Sequence, residues 1–234
     1  KDFRRIDPAT ATVVLLEGVE RVLPTFHESL SRRAEEQLAD LGVDVRTSTR
    51  VTGVDEAGVE IDGSDRIEAR TVLWGAGVAA APLAQSTGGE LDRSGRVVVD
   101  ESLAVPGHPN VFAVGDMAAA TSGSEPVPGV APAAVQGGRH VAAAIRADLE
   151  GRRRPVFRYR DNGSLATVGR AAAVAEFGRI RLSGFVAWVL WWAVHVALLI
   201  GFRSRALVMF GWGWSWLTFK RGARLITTRW SPGG

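Results

Sequence analysis

Apolar and polar positions follow two periods within the first fifty residues, and together they predict a βαβ unit. Residues 12–16 form a short β-branched and apolar run that ends at Glu17, which is typical of a buried parallel strand. Residues 30–41 carry apolar side chains at helical spacing and stop at Gly42. Residues 43–45 return to a strand pattern. The order strand, helix, strand predicts a doubly wound α/β sheet.

The next stretch has a weaker alternation that ends in a glycine-rich segment. Ranges 49–61 and 67–73 predict short strands with a turn at Asp62 and Gly63. The sequence Trp-Gly-Ala-Gly-Val follows at 74–78, so we expect it at the carboxyl end of a strand. Nucleotides bind at that edge of a doubly wound sheet, and this segment is therefore a candidate nucleotide contact.

Two acidic residues stand at the ends of predicted strands. Glu17 is placed like the acid that ends the second strand of a dinucleotide fold. That acid accepts hydrogen bonds from ribose hydroxyls and disfavours a 2′-phosphate. A solvated surface glutamate is the alternative. Asp116 ends the segment 110–116, in which four apolar residues predict a strand and Gly115 a tight turn. Residues 94–100 predict the strand that precedes it.

The second part of the chain differs in charge and in tryptophan content. Residues 1–150 hold 14 Lys and Arg against 23 Asp and Glu, whereas 151–234 hold 14 against two and carry seven of the eight Trp. Ranges 183–202 and 206–219 are uncharged, with cations at their edges. This pattern is typical of a bilayer interface, whereas nucleic-acid binding interleaves aromatic with basic residues. We predict contact with a membrane surface and none with nucleic acid; a soluble core helix over 185–200 is the alternative.

The first uncharged run has a length that permits a membrane crossing, since twenty helical residues match a hydrocarbon core of roughly 30 Å. Two features favour a shallower position. His195 lies in the middle of the run, and the Arg203-Ser204-Arg205 break leaves 14 residues before the next cations. We therefore expect monotopic insertion rather than a span.

Composition excludes several classes of site. The chain has 234 residues, a formal net charge of +3 and 46% apolar residues, so it can bury a sizeable core in one or two domains. It has no Cys, which excludes a disulfide scaffold, a thiolate zinc site and a Cys nucleophile within it. The four His are scattered, and we expect no metal centre. Because the chain opens without Met or a signal peptide, we interpret it as a fragment that begins inside a domain.

Several motifs now carry a resemblance to a known family. The Ala-x-Gly-Asp ending of 110–116 resembles the second flavin motif of flavoproteins with two dinucleotide-binding domains. Segment 127–140 leads into an alanine-rich helix. This segment, with 157–170, 183–188 and the Trp-rich tail, resembles type II NADH dehydrogenase in its actinobacterial-like form, in which a helix starts at the position of Ala131. This is the single-subunit, non-pumping NADH:quinone oxidoreductase. The resemblance extends from about residue 13 to about residue 226.

The resemblance implies an α/β, Rossmann-like flavoprotein fragment with a C-terminal helical membrane-anchoring region. Residues 1–78 would be the remainder of the NAD-binding domain, 79–155 the C-terminal part of the FAD-binding domain, and 156–234 the quinone-site and anchoring region. It implies FAD and NAD(H) as cofactors, and hydride transfer from NADH to FAD followed by two-electron transfer to menaquinone or ubiquinone in the respiratory chain. It also implies a homodimer at the cytoplasmic face of the bacterial inner membrane.

Carried over residue by residue, the resemblance assigns three sets of site residues. Those implied for FAD are Gly115, Asp116, Met117, Ala131, Pro132 and Ala133. Those implied for NAD are Glu17, Ala76, Gly77 and Val78. Those implied for the quinone are Pro132, Gln136 and Asn162. The catalytic glutamate of the family is expected upstream of Lys1, so this fragment alone should not turn over.

Two positions depart from the family pattern. Pro132 replaces the first Gln of the Ala-Gln-x-Ala-x-Gln motif, and Asn162 stands where relatives often carry Lys. Proline is tolerated in a first helical turn, so we expect changes in quinone affinity or type rather than in FAD binding. His195 is either a hydrogen-bonded packing residue or a proton relay to the quinone. Two other functions stay open: a different pyridine-nucleotide flavoprotein, although a sulfide:quinone enzyme would carry a Cys here, and a non-catalytic membrane-binding relative.

Overall fold

The computed structural model describes residues 7, 10–63, 65–199 and 201–218. In this part of the chain the strands are β1 (Val13–Leu16), β2 (Val43–Arg46), β3 (Val51–Asp55), β4 (Gly58–Ile61), β5 (Asp65–Glu68), β6 (Val97–Val98), β7 (Ala104–Val105), β8 (His108–Phe112), β9 (Ala118–Ala119), β10 (Thr121–Ser122), β11 (Glu125–Pro126), β12 (Ser164–Gly169), β13 (Ala172–Phe177) and β14 (Ile180–Ser183). The α-helices are α1 (Glu28–Asp40), α2 (Ala131–Leu149), α3 (Gly184–Leu198) and α4 (Phe202–Thr218).

The chain divides into two compact units. The first contains the described residues of 1–53, 60–66 and 163–234, and the second contains 54–59 and 67–162. The three-stranded sheet β3-β4-β5 contributes residues to both units.

The predicted βαβ unit is present in the first unit. Strands β1 and β2 pair in parallel, from Val13 opposite Val43 onwards, and α1 connects them. The ring of His27 caps α1 by accepting the Ser29 N–H, and the helix buries Leu30 and Ala34. The predicted order of strand, helix and strand is therefore confirmed.

An antiparallel sheet that the sequence pattern did not predict completes the first unit. Its order is β12-β13-β14, and the buried side chains of β13 divide between two clusters. Val174 packs with Phe26 and Leu30 beneath α1, whereas Ala173 and Ala175 pack with Ala187 of α3. Because successive side chains of a strand point to opposite faces, this one strand joins α1 to α3.

The second unit is built from short strands and the long helix α2. Strand β6 pairs in parallel with β9, and β7 pairs antiparallel with β8. Its buried cluster consists of small and medium apolar side chains, namely Ala84, Val97, Leu103, Val105, Ala113, Ala118, Ala120 and Phe157. The alanine-rich helix expected after residue 130 is confirmed as α2.

Four strand predictions are wrong in their bounds. The strand expected over 94–100 is limited to β6 at 97–98, and the strand expected within 110–116 is β8, which ends at Phe112. The stretch 49–61 forms two strands, β3 and β4, and the strand expected over 67–73 ends at Glu68 with β5. A strand persists only where a neighbour completes its ladder of hydrogen bonds, and residues 69–78 have no strand partner in the described part of the chain. Leu73 is accordingly 91% exposed, and the Trp-Gly-Ala-Gly-Val segment lies beyond an irregular stretch rather than directly at a strand end.

The two uncharged runs form α3 and α4, but α3 ends at Leu198 and α4 begins at Phe202, so the break comes before the predicted Arg203-Ser204-Arg205. Gly201 has a φ of +83°, and the Arg205 side chain donates to the Leu199 carbonyl at 2.9 Å. The arginine thus closes the end of α3 while it belongs to the first turn of α4. Among the described residues, no helix combines the length and the apolar character needed to cross a membrane. The membrane-anchoring role of this region stays a prediction.

Candidate functional site

A cavity of about 150 Å³ in the second unit brings together four residues that the sequence selects as site residues: Val78, Gly115, Asp116 and Ala133. Further lining comes from Leu103, Phe157 and the Pro128-Gly129 turn. The cavity thus lies where the turn after β8 meets the start of α2. Of the other selected residues, Met117 packs against the buried cluster of the same unit.

Gly115 is required by two geometric facts at this turn. Its φ is +65°, a left-handed conformation that glycine adopts without strain. A Cβ at this position would lie 3.1 Å from the Cβ of Ala134 in the first turns of α2. The sequence places glycine here because the turn must pack directly on the helix.

The carboxylate of Asp116 lines the cavity and is exposed. A Cβ on Gly129 would lie 3.3 Å from its Oδ1, so glycine keeps the opposite wall open. Within the described residues, no hydrogen bond or ion pair engages this carboxylate. An ionised carboxylate only accepts hydrogen bonds, so its partners here would be donors such as ligand hydroxyls.

Helix α2 begins at Ala131 with its amino end at the same cavity. Val130 provides no side-chain cap, and its carbonyl accepts the N–H groups of Ala133 and Ala134 at 3.0 and 3.2 Å. Pro132 occupies the first helical turn, as predicted, where its missing N–H costs no intrahelical bond. The positive end of the helix dipole therefore faces the cavity and favours an electron-rich group.

One wall of the cavity depends on an acid that the sequence analysis did not select. Leu103 is 2% exposed and has a φ of +66°, which is strained for a leucine. Asp100 holds this turn because its Oδ1 accepts the Ser102 N–H and hydroxyl, each at 2.8 Å, and the Ala104 N–H at 3.0 Å. Burial raises the pKa of Asp100, but these hydrogen bonds outweigh burial and the pKa is lowered. The Asp-x-Ser spacing of an Asx turn is the signal that could have revealed it.

His140, on α2, presents its ring edge-on to Phe157 with ring centroids 5.2 Å apart. Burial lowers the pKa of His140, against a hydrogen bond to the Pro155 backbone that raises it. The ring is therefore neutral at pH 7, and it serves here as an apolar support for a cavity-lining residue.

Gln136 does not line the cavity. Its amide forms a reciprocal pair with the backbone of Arg160: Nε2 donates to the carbonyl and Oε1 accepts the N–H, both at 2.9 Å. The same extended segment is held by the Tyr159 N–H, which donates to the Ser122 hydroxyl at 3.0 Å. Gln136 thus positions the segment that contains Phe157.

Replacing Gln136 by leucine should release this segment. The Arg160 N–H would then have no side-chain acceptor. We therefore expect the backbone amide hydrogens of residues 157–161 to exchange with solvent roughly tenfold faster. Hydrogen exchange followed by mass spectrometry measures this directly. Gln85→Leu, at an exposed position outside the pair, should leave the rate unchanged, and equal rates in both variants would contradict the role of Gln136.

The remaining selected residues do not line this cavity. Glu17 follows β1 in the first unit, where its Oε1 accepts the Val19 N–H at 3.3 Å. Ala76 and Gly77 are exposed, and the Trp74 indole N–H donates to the Ala76 carbonyl at 2.8 Å. Asn162 is an exposed residue at the end of the second unit.

His195 lies on α3 with its ring stacked on Trp191, the centroids being 4.2 Å apart. Its Nδ1 lies 2.7 Å from the Trp191 carbonyl one helical turn earlier. Of the two interpretations from the sequence, this geometry supports the hydrogen-bonded packing residue.

Two family models match different parts of the chain. Residues 6–138 match the family described as pyridine nucleotide-disulphide oxidoreductase, and residues 162–221 match the NDH2 C-terminal domain.

The type II NADH:quinone oxidoreductase Ndh of Mycobacterium tuberculosis is 44% identical over 236 residues, which cover 96% of this chain and 50% of that protein. A type II NADH:quinone oxidoreductase of Staphylococcus haemolyticus is 31% identical and covers 70% of this chain and 42% of its own length. The structure of NDH2 from Plasmodium falciparum in complex with NADH superposes with a TM-score of 0.77 at 18% identity, covering 87% of this chain and 58% of that one. The chain spans about half the length of the curated relatives it matches.

Proposed function

The chain belongs to the pyridine nucleotide-disulphide oxidoreductases and, among them, to the type II NADH dehydrogenase family, and we propose that it forms the C-terminal part of an NADH:quinone oxidoreductase. The observation that carries this proposal is the meeting of the Gly115-Asp116 turn with the start of α2 at one cavity. The predicted ranges 1–78, 79–155 and 156–234 remain our proposal for its domains.

The residues around the cavity fit FAD. Asp116 offers a carboxylate to the hydroxyls of the ribityl chain, and Gly115 with Met117 shapes the turn beside the phosphate. The first turn of α2, Ala131, Pro132 and Ala133, offers a positive dipole end to the electron-rich edge of the ring. When bound, the flavin would accept a hydride from NADH and pass two electrons to a quinone, without pumping protons.

The NAD side of the proposal rests on two places in the chain. Glu17 follows a parallel strand of the βαβ unit, where a carboxylate binds ribose hydroxyls and repels a 2′-phosphate. Ala76, Gly77 and Val78 would contact the nicotinamide side; Gly77 has a φ of +77°, which lets the backbone turn there. The protein is then selective for NADH over NADPH.

The acceptor side is proposed to be a membrane quinone, menaquinone or ubiquinone, bordered by Pro132, Gln136 and Asn162. Gln136 acts there by positioning the 157–161 segment, since its amide is already paired with Arg160. The Trp- and Arg-rich region would hold a homodimer at the cytoplasmic face of the bacterial inner membrane, where the hydrophobic acceptor is dissolved. The lack of acidic residues after Glu176 supports attraction to that anionic surface.

An anaerobic visible spectrum of the intact protein tests this function. NADH should bleach a flavin band, and a soluble quinone should restore it. A band that NADH bleaches and quinone leaves bleached would exclude quinone as the acceptor. The lack of any flavin band would overturn the flavoenzyme proposal altogether.

Replacing Glu17 by glutamine should weaken the discrimination between the two nicotinamide cofactors. Loss of the negative charge removes the repulsion of a 2′-phosphate, so we expect the ratio of kcat/KM for NADH over NADPH to fall roughly tenfold. Steady-state rates of the intact protein with both cofactors measure it. Glu20→Gln, three residues further on, is the control and should keep the original ratio.

A further inference from the structure

Residues 70–79 form a largely exposed segment that depends on one side chain for its hydrogen bonding. Backbone hydrogen bonds hold its two ends, where the N–H groups of Ala69 and Ala80 donate to carbonyls elsewhere in the second unit. Between these ends the backbone forms no hydrogen bond to backbone within the described residues, and the Trp74 indole N–H donates to the Ala76 carbonyl at 2.8 Å. The conformation of the segment therefore depends on this indole.

Trp74 is placed to fix a backbone conformation rather than to fill a core. The residue is 64% exposed, so burial of its ring contributes little to the stability of the fold. An indole has one polar group, the Nε1–H donor, and here that donor turns back to a carbonyl two residues further on. The bond holds the Ala76 peptide in one orientation.

The backbone that follows this bond leads to the candidate flavin cavity. Gly77 has a φ of +77°, and a Cβ there would meet no atom within 4 Å, so the conformation requires glycine and the available space does not. The next residue, Val78, is exposed on one side and lines the cavity on the other. The indole bond and the left-handed glycine together determine where Val78 lies at the edge of the cavity.

The hydrogen bond leaves other peptide groups of the segment available to a ligand. The Ala76 carbonyl is taken by the indole, whereas Gly77 and Val78 are exposed and their peptide groups form no hydrogen bond within the described residues. A primary carboxamide has two N–H donors and a carbonyl acceptor, so peptide groups complement it. A ligand that carries this group would complete the hydrogen bonding at the edge of the cavity.

We infer that Trp74 is a positioning residue for the nicotinamide ring. By holding the Ala76 peptide, its indole keeps the peptide groups of Gly77 and Val78 in place for the carboxamide of the ring. A segment that is already ordered loses less conformational entropy on binding and therefore binds more tightly. This inference rests on the function proposed above, in which this segment contacts the nicotinamide, and it adds the side chain that holds the segment.

An NMR measurement on the intact protein without nucleotide tests the hydrogen bond itself. Labelling tryptophan with 15N gives an indole signal for each ring, and Trp74→Phe identifies the signal of Trp74 by its disappearance. A hydrogen-bonded indole N–H should exchange with solvent roughly fivefold more slowly than the indole of free N-acetyltryptophanamide. Exchange at the rate of the free indole would overturn the inference.

The two half-reactions of the intact protein test the consequence for binding. Trp74→Phe keeps an aromatic ring and removes the donor, so it should raise the dissociation constant of NADH roughly fivefold, measured by rapid mixing from the bleaching of the flavin. Reoxidation of the reduced flavin by a soluble quinone should keep its original rate, because the segment is assigned to the nicotinamide. A general loss of structure would slow both half-reactions, and that result or an unchanged dissociation constant would overturn the inference.

Leu73→Ala is the matched control. Leu73 directly precedes the indole and is 91% exposed, so its variant should bind NADH like the original protein. A dissociation constant raised equally in the Leu73 and Trp74 variants would overturn the role of the indole N–H, because any change in this segment would then have the same effect.

The 3-acetylpyridine analogue of NADH, in which a methyl group replaces the amide nitrogen, tests the carboxamide. The original protein should bind this analogue roughly fivefold more weakly than NADH, and Trp74→Phe should reduce that difference. An equal preference in both proteins would overturn the assignment. Failure of NADH to bleach the flavin of the original protein would overturn the proposed function and this inference together, whereas failure of the inference alone leaves that bleaching unchanged.

Discussion

Replacing Asp116 by alanine is expected to weaken FAD binding by the intact protein roughly 10- to 100-fold, because a carboxylate that accepts hydrogen bonds from ligand hydroxyls is lost. Asp116 faces the cavity and carries no hydrogen bond from the described residues, so its removal leaves no protein donor unsatisfied. The folded structure should therefore persist while the affinity falls. Titration of the apoprotein with FAD, followed by flavin fluorescence, gives the dissociation constants.

Glu125→Ala is the control for this change. Glu125 lies on β11 in the same unit, is exposed and does not line the cavity. It should retain FAD with the original affinity. If Asp116→Ala binds FAD as tightly as the Glu125 variant, the flavin site must lie elsewhere.

Replacing Gly163 by alanine is expected to lower the free energy of unfolding of the first unit by about 3 kcal/mol. Gly163 has a φ of +94°, and a Cβ there would overlap the backbone oxygen of Glu176 and the ring of Phe177. The Glu176 oxygen belongs to the backbone that pairs β13 with β12, so it cannot move without disturbing that pairing. The midpoint of thermal unfolding should fall by about 6–12 °C.

Gly178→Ala separates the effect of backbone conformation from that of the clash. Gly178 precedes β14 with a φ of +57°, but its Cβ would meet no atom within 4 Å. Only the strain of a left-handed alanine remains, about 1 kcal/mol. Tryptophan emission reports this unit, since seven of the eight Trp lie beyond residue 187. Equal midpoints of thermal unfolding for the two variants would show that the sheet relieves the clash at Gly163 with no loss of stability.

The features that sequence reasoning predicted correctly are those whose signals are local. The parallel β1-α1-β2 unit follows from a change of hydrophobic period that ends at Gly42, and α2 from an alanine-rich run after a proline. The turn at Gly115 and Asp116 follows from residue chemistry that hardly depends on distant neighbours. The turn and α2 are also the elements that position the candidate flavin site.

The sheet β12-β13-β14 went unpredicted because its first turn lacks the usual residues. Ala171 takes a φ of +62° there, where Gly or Asn would have signalled a hairpin. Burial of Val174 against α1 and of Ala175 against α3 compensates for that strain. The partners lie far along the chain, so no local pattern contains them.

The role of Gln136 likewise could not be predicted from the local sequence. From the sequence it is a candidate quinone contact, but its amide nitrogen and amide oxygen pair with the backbone of Arg160, 24 residues away. Likewise, the break between α3 and α4 depends on Arg205 reaching the Leu199 carbonyl.

The sequence by itself determined the family, the glycine turn at residue 115, the βαβ unit and the apolar, arginine-edged character of the last two helices. It did so because glycine conformations, hydrophobic periods and charge are properties of neighbouring residues. Only the tertiary structure decided where β5 ends, which strand joins α1 to α3, and that five tryptophans from two helices line one groove. Strand ends, buried faces and cavities depend on contacts between residues that are far apart in the sequence, and a local sequence pattern does not contain those contacts.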